Sequence, residues 1–327
     1  MLMHSMASAV ASLQSTLKLL SDPTRLRLLG LLARAELAVQ ELVSVTNLQQ
    51  SRISNQLALL KRAGMVRDRR EGTWSFHSLV DAGTPGGLSA ELHHAVLQPY
   101  LDSVEGRADA AAVAALLEQR REQSRKAHDK LADRWVEVGQ EFTTGSLRAE
   151  ILATAFPGGR EVVDLGCGAG FLSAWLVERG AHVVAVDHSA QMLATARRRL
   201  PRDRIEFRAG ELDALPLRDC EVDCAFANLV WHHLPDLDAA AREAFRVVRP
   251  GGCLVVSDLV PHDAEWMREA MGDLRLGLRP ELVVATLARA GFANVRASAA
   301  IDQYSVQGPD GVRRTLSMFL VRGERPA

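Results

Sequence analysis

The sequence predicts an α/β protein preceded by a small α+β domain, and three observations carry that prediction. From Gly158 onward, short apolar runs alternate with helical stretches: Glu161 to Leu165, Val183 to Val186, Ile205 to Arg208, Val222 to Ala227 and Leu254 to Ser257. Such alternation calls for a mostly parallel sheet with helices on both faces. Ahead of it, short amphipathic helices are followed by two brief strands. Between the two patterns, Asp81-Ala-Gly-Thr-Pro-Gly-Gly87 is rich in turn formers and poor in apolar residues, which marks a boundary. The expected domains are 1–85, a helical linker or dimerisation region over 86–130, and 131–327.

At 327 residues the chain exceeds one typical domain. Its 47% hydrophobic and 24% charged residues exclude collagen, long disorder and a membrane bundle. A net charge of -1 hides an asymmetry, because the first 81 residues hold 10 Lys and Arg against 6 Asp and Glu. Between Arg52 and Arg70, six cations face Asp68 alone. Four cysteines (Cys167, Cys220, Cys224, Cys253) are too few for a disulfide scaffold and read as thiols. No Lys or Arg precedes Lys18, and no apolar run approaches the roughly 18 residues of a membrane span. The expectation is a cytoplasmic protein with no membrane partner.

In order, Leu17 and Leu20 belong to a first helix, and Leu26, Leu29 and Leu32 to a second that Asp22 caps and Pro23 opens. A third begins near Val39. A fourth runs from about Gln49 to Ala63, with Ile53, Leu57 and Leu60 as its apolar stripe and Gly64 as its stop. Met65 to Asp68 and Thr73 to Leu79 read as strands flanking a two-residue Glu71-Gly72 turn. Ser89 to Gly139 is helical, Ala-rich at Ala110 to Leu117 and heavily charged at Glu118 to Lys130, as suits bridging or dimer-forming helices.

The chemically richest stretch is Val162-Val-Asp-Leu-Gly-Cys-Gly-Ala-Gly170, an apolar strand running into Gly166, Gly168 and Gly170 and then a helix. Glycines at a strand-to-helix turn let a ligand approach the backbone. Asp187 ends the next strand, 23 residues after Asp164, near the offset of a carboxylate that binds ribose hydroxyls. A dinucleotide-binding fingerprint would space its last glycine as x-x-G, whereas these glycines alternate.

Five motifs in order resemble the class I S-adenosylmethionine (SAM)-dependent methyltransferases, over about Leu131 to the end of the sequence. They are Asp164-Leu-Gly-Cys-Gly, Val186-Asp187-His188-Ser189, Gly210-Glu-Leu-Asp-Ala-Leu-Pro216, Asn228-Leu-Val-Trp-His-His-Leu234 and Arg249-Pro-Gly-Gly252. The resemblance implies a Rossmann-like sheet and SAM or S-adenosylhomocysteine (SAH) as cofactor. It places Asp164 near the methionine amino group, Gly166 and Gly168 under the amino-acid part, Asp187 on the ribose, and Glu211 and Leu212 at the adenine. His188 and Asn228 complete the cofactor set. His232 and His233, at the substrate side, are candidate bases. Arsenite methyltransferases hold their metalloid with several thiolates, and the four cysteines do not fit that use. Cys167, Cys224 and Cys253 sit at core positions and only Cys220 in a loop.

Residues 13 to 80 resemble the ArsR-type winged helix-turn-helix repressors. The matching stretches are Leu19-Leu-Ser-Asp-Pro-Thr-Arg-Leu-Arg-Leu-Leu29, Gln50 to Leu57, Leu60 to Val66 and Arg69-Arg-Glu-Gly72. Gln50, Ser51, Ser54 and Asn55 share one sector beside the buried stripe and are placed to enter a major groove. Arg52, Lys61 and Arg62 would hold phosphates, and Arg69 lies in the Arg67 to Arg70 wing. The Cys-x-Cys metal sensor of that family is missing, since Ala38 and Gln40 stand there, and His93-His94 is too sparse for a metal site.

Together the halves suggest a homodimeric transcriptional regulator that binds double-stranded operator DNA and senses SAM or SAH. The rival reading is a working methyltransferase on a small molecule that regulates its own gene. Space beyond the methyl lined by His232 and Tyr304 or Trp231 would favour the enzyme. Methylation of nucleic acid lacks its Asn/Asp-Pro-Pro-Tyr/Phe signature, because Asn228-Leu-Val-Trp231 stands after the fourth strand.

Overall fold

The computed structural model describes residues 14–71, 74–80, 87, 89–132, 146–155, 160–200 and 203–327. They form two compact units, Met1–Gln119 and Arg120–Ala327.

In the first unit a helical segment over 14–20 leads to α1 (Pro23–Leu32). Asp22 caps α1 as its sequence predicts, accepting from Thr24 N at 2.8 Å and Arg25 N at 3.1 Å, with Pro23 in the first turn. Helix α2 (Val39–Thr46) stops at Asn47, which takes a left-handed conformation (φ 56°) and turns the chain into α3 (Gln50–Arg62). Ile53, Leu57 and Leu60 of α3 bury their stripe against Leu28, Leu29 and Leu31 of α1 and its surroundings. Strands β1 (Leu37–Ala38), β2 (Val66–Glu71) and β3 (Trp74–Leu79) form an antiparallel sheet ordered β1-β3-β2. Glu71 pairs with Trp74, so the two connecting residues are 72 and 73, one position later than the predicted Glu71-Gly72 turn. Both lie outside the described residues.

Helical turns at Ala90–Leu92, His93–Leu97 and Gln98–Leu101 precede α4 (Val104–Leu131). The second of these turns is a π-helix. The predicted linker at 81–87 falls outside the described residues except for Gly87, and so does the end of the helical stretch beyond Ala132. Asp109 on α4 is held by Arg27 at 2.7 and 2.9 Å and by Tyr100 Oη at 2.6 Å, and Val113 is buried in the core of the first unit.

The second unit is built on a seven-stranded sheet ordered β6-β5-β4-β7-β8-β10-β9. Its strands are β4 (Glu161–Leu165), β5 (His182–Asp187), β6 (Ile205–Ala209), β7 (Val222–Asn228), β8 (Val248–Leu259), β9 (Ala293–Gln307) and β10 (Arg313–Glu324). The first five are parallel, and β10 pairs antiparallel with β8 and β9. Successive residues of the central strands feed opposite cores: Val162, Val183, Cys224 and Phe226 face one, and Val163, Val184, Ala225 and Ala227 the other. Helices α5 (Ser146–Thr154), α6 (Phe171–Glu178) and α7 (Ala190–Arg199) cover the first face. Helix α8 (Leu237–Val247) and α10 (Pro280–Ala290) cover the second, while α9 (Trp266–Ala270) gives Met267 to the first.

The five predicted apolar runs are β4 to β8. Strand β8 starts earlier than predicted, because Arg249 to Gly252 bulge between the pairs Val222–Val248 and Cys224–Cys253. The β9–β10 pair is not legible as strands in the sequence. Ala293–Gln307 is an edge strand whose first residues are largely exposed, so no burial alternation marks it until Asp302. Among the described residues no helix is long and apolar enough to cross a membrane.

Candidate functional site

A cavity opens at the carboxyl ends of β4, β5 and β7, where the order of the sheet reverses. All eight predicted cofactor residues line it: Asp164, Gly166, Gly168, Asp187, His188, Glu211, Leu212 and Asn228. The loop leaving β4 is fixed by its own backbone. Gly166 N and Cys167 N donate to Val186 O at 2.8 and 2.9 Å, and Gly170 N closes a turn on Cys167 O at 2.8 Å. Gly166 sits at φ 71°, and a Cβ there would stand 2.3 Å from Val230 Cγ2, so both its conformation and its space demand glycine. The resulting floor is a backbone cradle of the kind an amino-acid or phosphate group fits.

Asp187 ends β5 and ties the floor together. Its Oδ2 accepts from Gly168 N and its Oδ1 from Ser189 N, both at 2.8 Å. A carboxylate has about four acceptor sites, so capacity for two hydroxyls is left. Burial pushes the Asp187 carboxyl up, against the opposing pull of His188 and the two N–H donors. Asp164 is wholly buried, and its Oδ2 accepts from Ser173 Oγ at 2.5 Å. Burial, aided by the nearby Asp187 charge and opposed by Ser173, raises it from 3.8 to about 7. A cation beside Asp164 would favour its ionised form.

Glu211 faces His188 Nδ1 at 3.5 Å and Arg125 Nη2 at 3.0 Å. Hydrogen bonding to His188, with Arg125 beside it, holds Glu211 below the usual carboxylate range despite burial. Burial alone would lower His188, but Glu211 and Asp187 outweigh it and raise it. Asn228 Oδ1 accepts from Ser257 Oγ at 2.7 Å at the end of β7.

The two candidate bases have different surroundings. His233 lines the cavity, whereas His232 is buried behind it. His232 Nδ1 lies 2.6 Å from Asp258 Oδ1, and its Nε2 3.7 Å from Asp273 Oδ1. Burial opposes its charge, yet the two carboxylates raise it to about 9, so it is an imidazolium at neutral pH. His233 is driven well below its ordinary value by burial and by the neighbouring His232 and His128. Its Nδ1 is 3.1 Å from Gly272 O, which can only accept, so neutral His233 carries its proton on Nδ1 and a lone pair on Nε2. Donor atoms of His232, His233 and Asp273 lie within 4.8 Å of one another. Asp258 and Asp273 favour the charge on His232, and the nearby Arg275 opposes it. Trp231 and Tyr304, which would favour the enzyme if they lined space beyond the methyl, are buried in the two cores and do not line this cavity.

Sequence reasoning missed Arg121, Ser124 and His128 on α4 and Arg148 on α5, all of which line the cavity. Positions 121, 124 and 128 share a helix face, a signal concealed by the charge density of Glu118 to Lys130. Burial lowers His128 to about 3, so it too is neutral.

In the first unit Gln50, Ser51, Arg52, Ser54 and Asn55 are all exposed on α3. Gln50 Oε1 accepts from Gln40 Nε2 at 3.2 Å, and Arg52 Nη2 donates to Thr24 Oγ1 at 2.7 Å. Arg69 is half-buried, paired with Glu36 at 3.0 Å and stacked 5.0 Å from the Phe76 ring centroid. Arg67 and Arg70, by contrast, are exposed on the same strand. Among the cysteines, Cys224 and Cys253 are neighbours across β7 and β8 with sulfurs 3.4 Å apart, and all four are free thiols.

Comparison with known proteins agrees with this geometry. Residues 22–68 match the family described as bacterial regulatory protein, arsR family, and residues 163–256 match the family described as methyltransferase domain. A malonyl-[acyl-carrier protein] O-methyltransferase of Enterobacter lignolyticus is 32% identical over 166 residues, 45% of this chain and 64% of the relative. An arsenite methyltransferase of Halobacterium salinarum is 37% identical over 128 residues, 37% of this chain and 32% of the relative. The chain therefore spans less than two thirds of the length of these curated relatives. A chain from the complex between the Haloferax volcanii Trm112 methyltransferase activator and a methyltransferase superposes with a TM-score of 0.52 at 21% identity. That match covers 62% of this chain and 97% of the other and reports a shared fold. The protein thus joins an ArsR-family helix-turn-helix domain to a class I methyltransferase domain in one chain.

Proposed function

We propose that the protein is a DNA-binding transcriptional regulator whose second unit binds SAM or SAH, so that the cofactor state of the cell alters its affinity for an operator. The observation that carries this reading is that one chain presents an exposed Gln50, Ser51, Ser54 and Asn55 face on α3 and a glycine-floored cavity with Asp164, Asp187 and Glu211 in its wall. In that cavity Asp164 would take the ligand's ammonium, Gly166 and Gly168 its amino-acid part, Asp187 the ribose hydroxyls, and Glu211 and Leu212 the adenine. Two copies would read paired half-sites about one helical turn apart. A ligand changes DNA affinity only through differential affinity for two conformations of the protein.

The test is fluorescence anisotropy of the full chain on DNA from upstream of its own gene, at fixed salt, with SAM or SAH titrated in. A shift in Kd of about fivefold or more, within the usual range of coupling between sites, is expected for one of the two. DNA binding that ignores both ligands would sink the sensor reading.

Ligand binding should also strengthen with pH. Asp164, at about 7, is mostly protonated at pH 6 and mostly ionised at pH 8, and only the carboxylate pairs with an ammonium. Affinity for SAH, measured by calorimetry, is expected to rise about tenfold over that span and to lose this dependence in Asp164→Asn. The sign for folding is the reverse. The native state keeps a proton on Asp164 that the unfolded chain releases, so this group's contribution to stability falls as pH rises from 3.8 to about 7.

A second reading, a working methyltransferase on a small molecule, is favoured by one observation: His233 lines the cavity as a neutral imidazole with its lone pair on Nε2. SAM bound there would supply an electrophilic methyl group. His233 would take the proton that an O–H or N–H acceptor releases on methylation. Turnover of SAM to SAH with a small acceptor, lost in His233→Ala, is the outcome that supports it.

A further inference from the structure

We propose that residues 120–131, the second half of α4, form a roof over the cavity that the bound adenosyl ligand latches, making this helix segment the element that registers occupancy. The inference rests on reading the cavity as an adenosyl site. Arg121, Ser124, Arg125, His128 and Asp129 recur at i, i+3, i+4, i+7 and i+8, so they lie along one helix face. That face meets the two loops assigned to the adenosine, and His128 also stands edge-on to the His233 ring, with centroids 4.5 Å apart. Arg121 pairs with Asp213, and Arg125 Nη2 reaches Glu211 Oε1 at 3.0 Å. His128 Nδ1 lies 3.1 Å from His188 Nε2, and Asp129 accepts from Ser189 Oγ. The same segment also packs on the opposite wall, where a Cβ on Gly272 (φ 77°) would stand 2.8 Å from Ala127 Cβ. Gly272 is the residue whose carbonyl orients His233.

An independent observation points to a ligand under this roof. Ser124 lines the cavity at 3% exposure, and its buried Oγ has no hydrogen-bond partner among the described residues. A buried hydroxyl without a partner is costly, so a polar ligand atom at that point would remove the cost. Two of these contacts, Arg121–Asp213 and Arg125–Glu211, are partly solvent-exposed charge pairs, individually weak, and so open to being shifted by a ligand that orders Glu211. The helix is also rooted at its other end, since Asp109 and Val113 are fixed in the first unit.

Hydrogen exchange of the full chain, with and without saturating SAH and with binding measured separately by calorimetry, tests the proposal. SAH is expected to slow exchange of amides 120–131 by about tenfold or more. Ser124→Ala should weaken SAH binding by about three- to tenfold. Arg125→Ala with Asp129→Ala should leave operator affinity without ligand unchanged while removing the protection of 120–131. SAH that binds and protects 164–170 but leaves 120–131 exchanging as before would overturn the roof while sparing the adenosyl site. A flat calorimetric titration would instead defeat the adenosyl reading and the roof with it. The exchange result on the unaltered chain decides even if a variant fails to fold.

Discussion

Asp187→Ala is expected to weaken SAH binding about a hundredfold or more, close to 3 kcal/mol, because it removes two functions at once. The carboxylate is assigned to the ribose, and it also accepts from Gly168 N and Ser189 N at 2.8 Å, so its loss frees the glycine floor as well as the hydroxyl partner. Asp187→Asn keeps the shape but loses the charge and turns half of its acceptor capacity into donors, and it should fall between the two. Calorimetry gives the affinities. Circular dichroism and operator binding check that the first unit is intact, since Asp187 lies in the second. Affinity unchanged in Asp187→Ala would remove this cavity as the cofactor site.

The second large effect concerns the operator. Ser54→Ala combined with Asn55→Ala should weaken operator binding about ten- to a hundredfold, the 1–3 kcal/mol of a good base contact. Both side chains are exposed on α3, while Ile53 and Leu57 beside them hold the helix in the core, so the double variant should fold normally. Base contacts carry sequence preference and phosphate contacts carry the salt dependence, so the slope of log Kd against log salt should stay the same. An unchanged operator affinity would discredit α3 as the reading helix. Arg69 is a poorer target than the sequence implied, because Glu36 already holds its guanidinium and Phe76 stacks on it.

Much of both units was legible before the structure, for identifiable reasons. The Asp22-Pro23 start of α1, the Ile53, Leu57 and Leu60 stripe and the stop at Gly64 are local signals, set by capping, periodicity and backbone freedom. Strands β4, β5, β7 and the later part of β8 are buried on both faces, so their sequences are nearly continuous apolar runs, while the edge strand β6 buries only Ile205 fully. The exposed edge strand β9 has no such pattern, and its partner β10 gains its burial from β8, a contact that no local window contains.

The candidate site divides along the same line. Asp164, Gly166, Gly168 and Asp187 were readable because a strand that enters a glycine turn, followed by a strand ending in a carboxylate, is a motif of neighbours in sequence. The Arg121, Ser124 and His128 wall was not, since those residues precede the glycine loop by more than 35 positions and reach it only when the chain folds back.

By itself the sequence predicted the two-part organisation, the exposed polar face of α3 and the glycine floor of the cavity. Each of these depends on short-range spacing and on which residues avoid water. The tertiary structure decided which of two adjacent histidines lines the cavity and which is an imidazolium behind it. Two neighbouring imidazoles carry the same chemistry in sequence. Their protonation is set by burial, by Asp258 26 positions from His232, and by Asp273 and Gly272 further on. Electrostatics acts through space, and the chain brings those charges together only once it is folded.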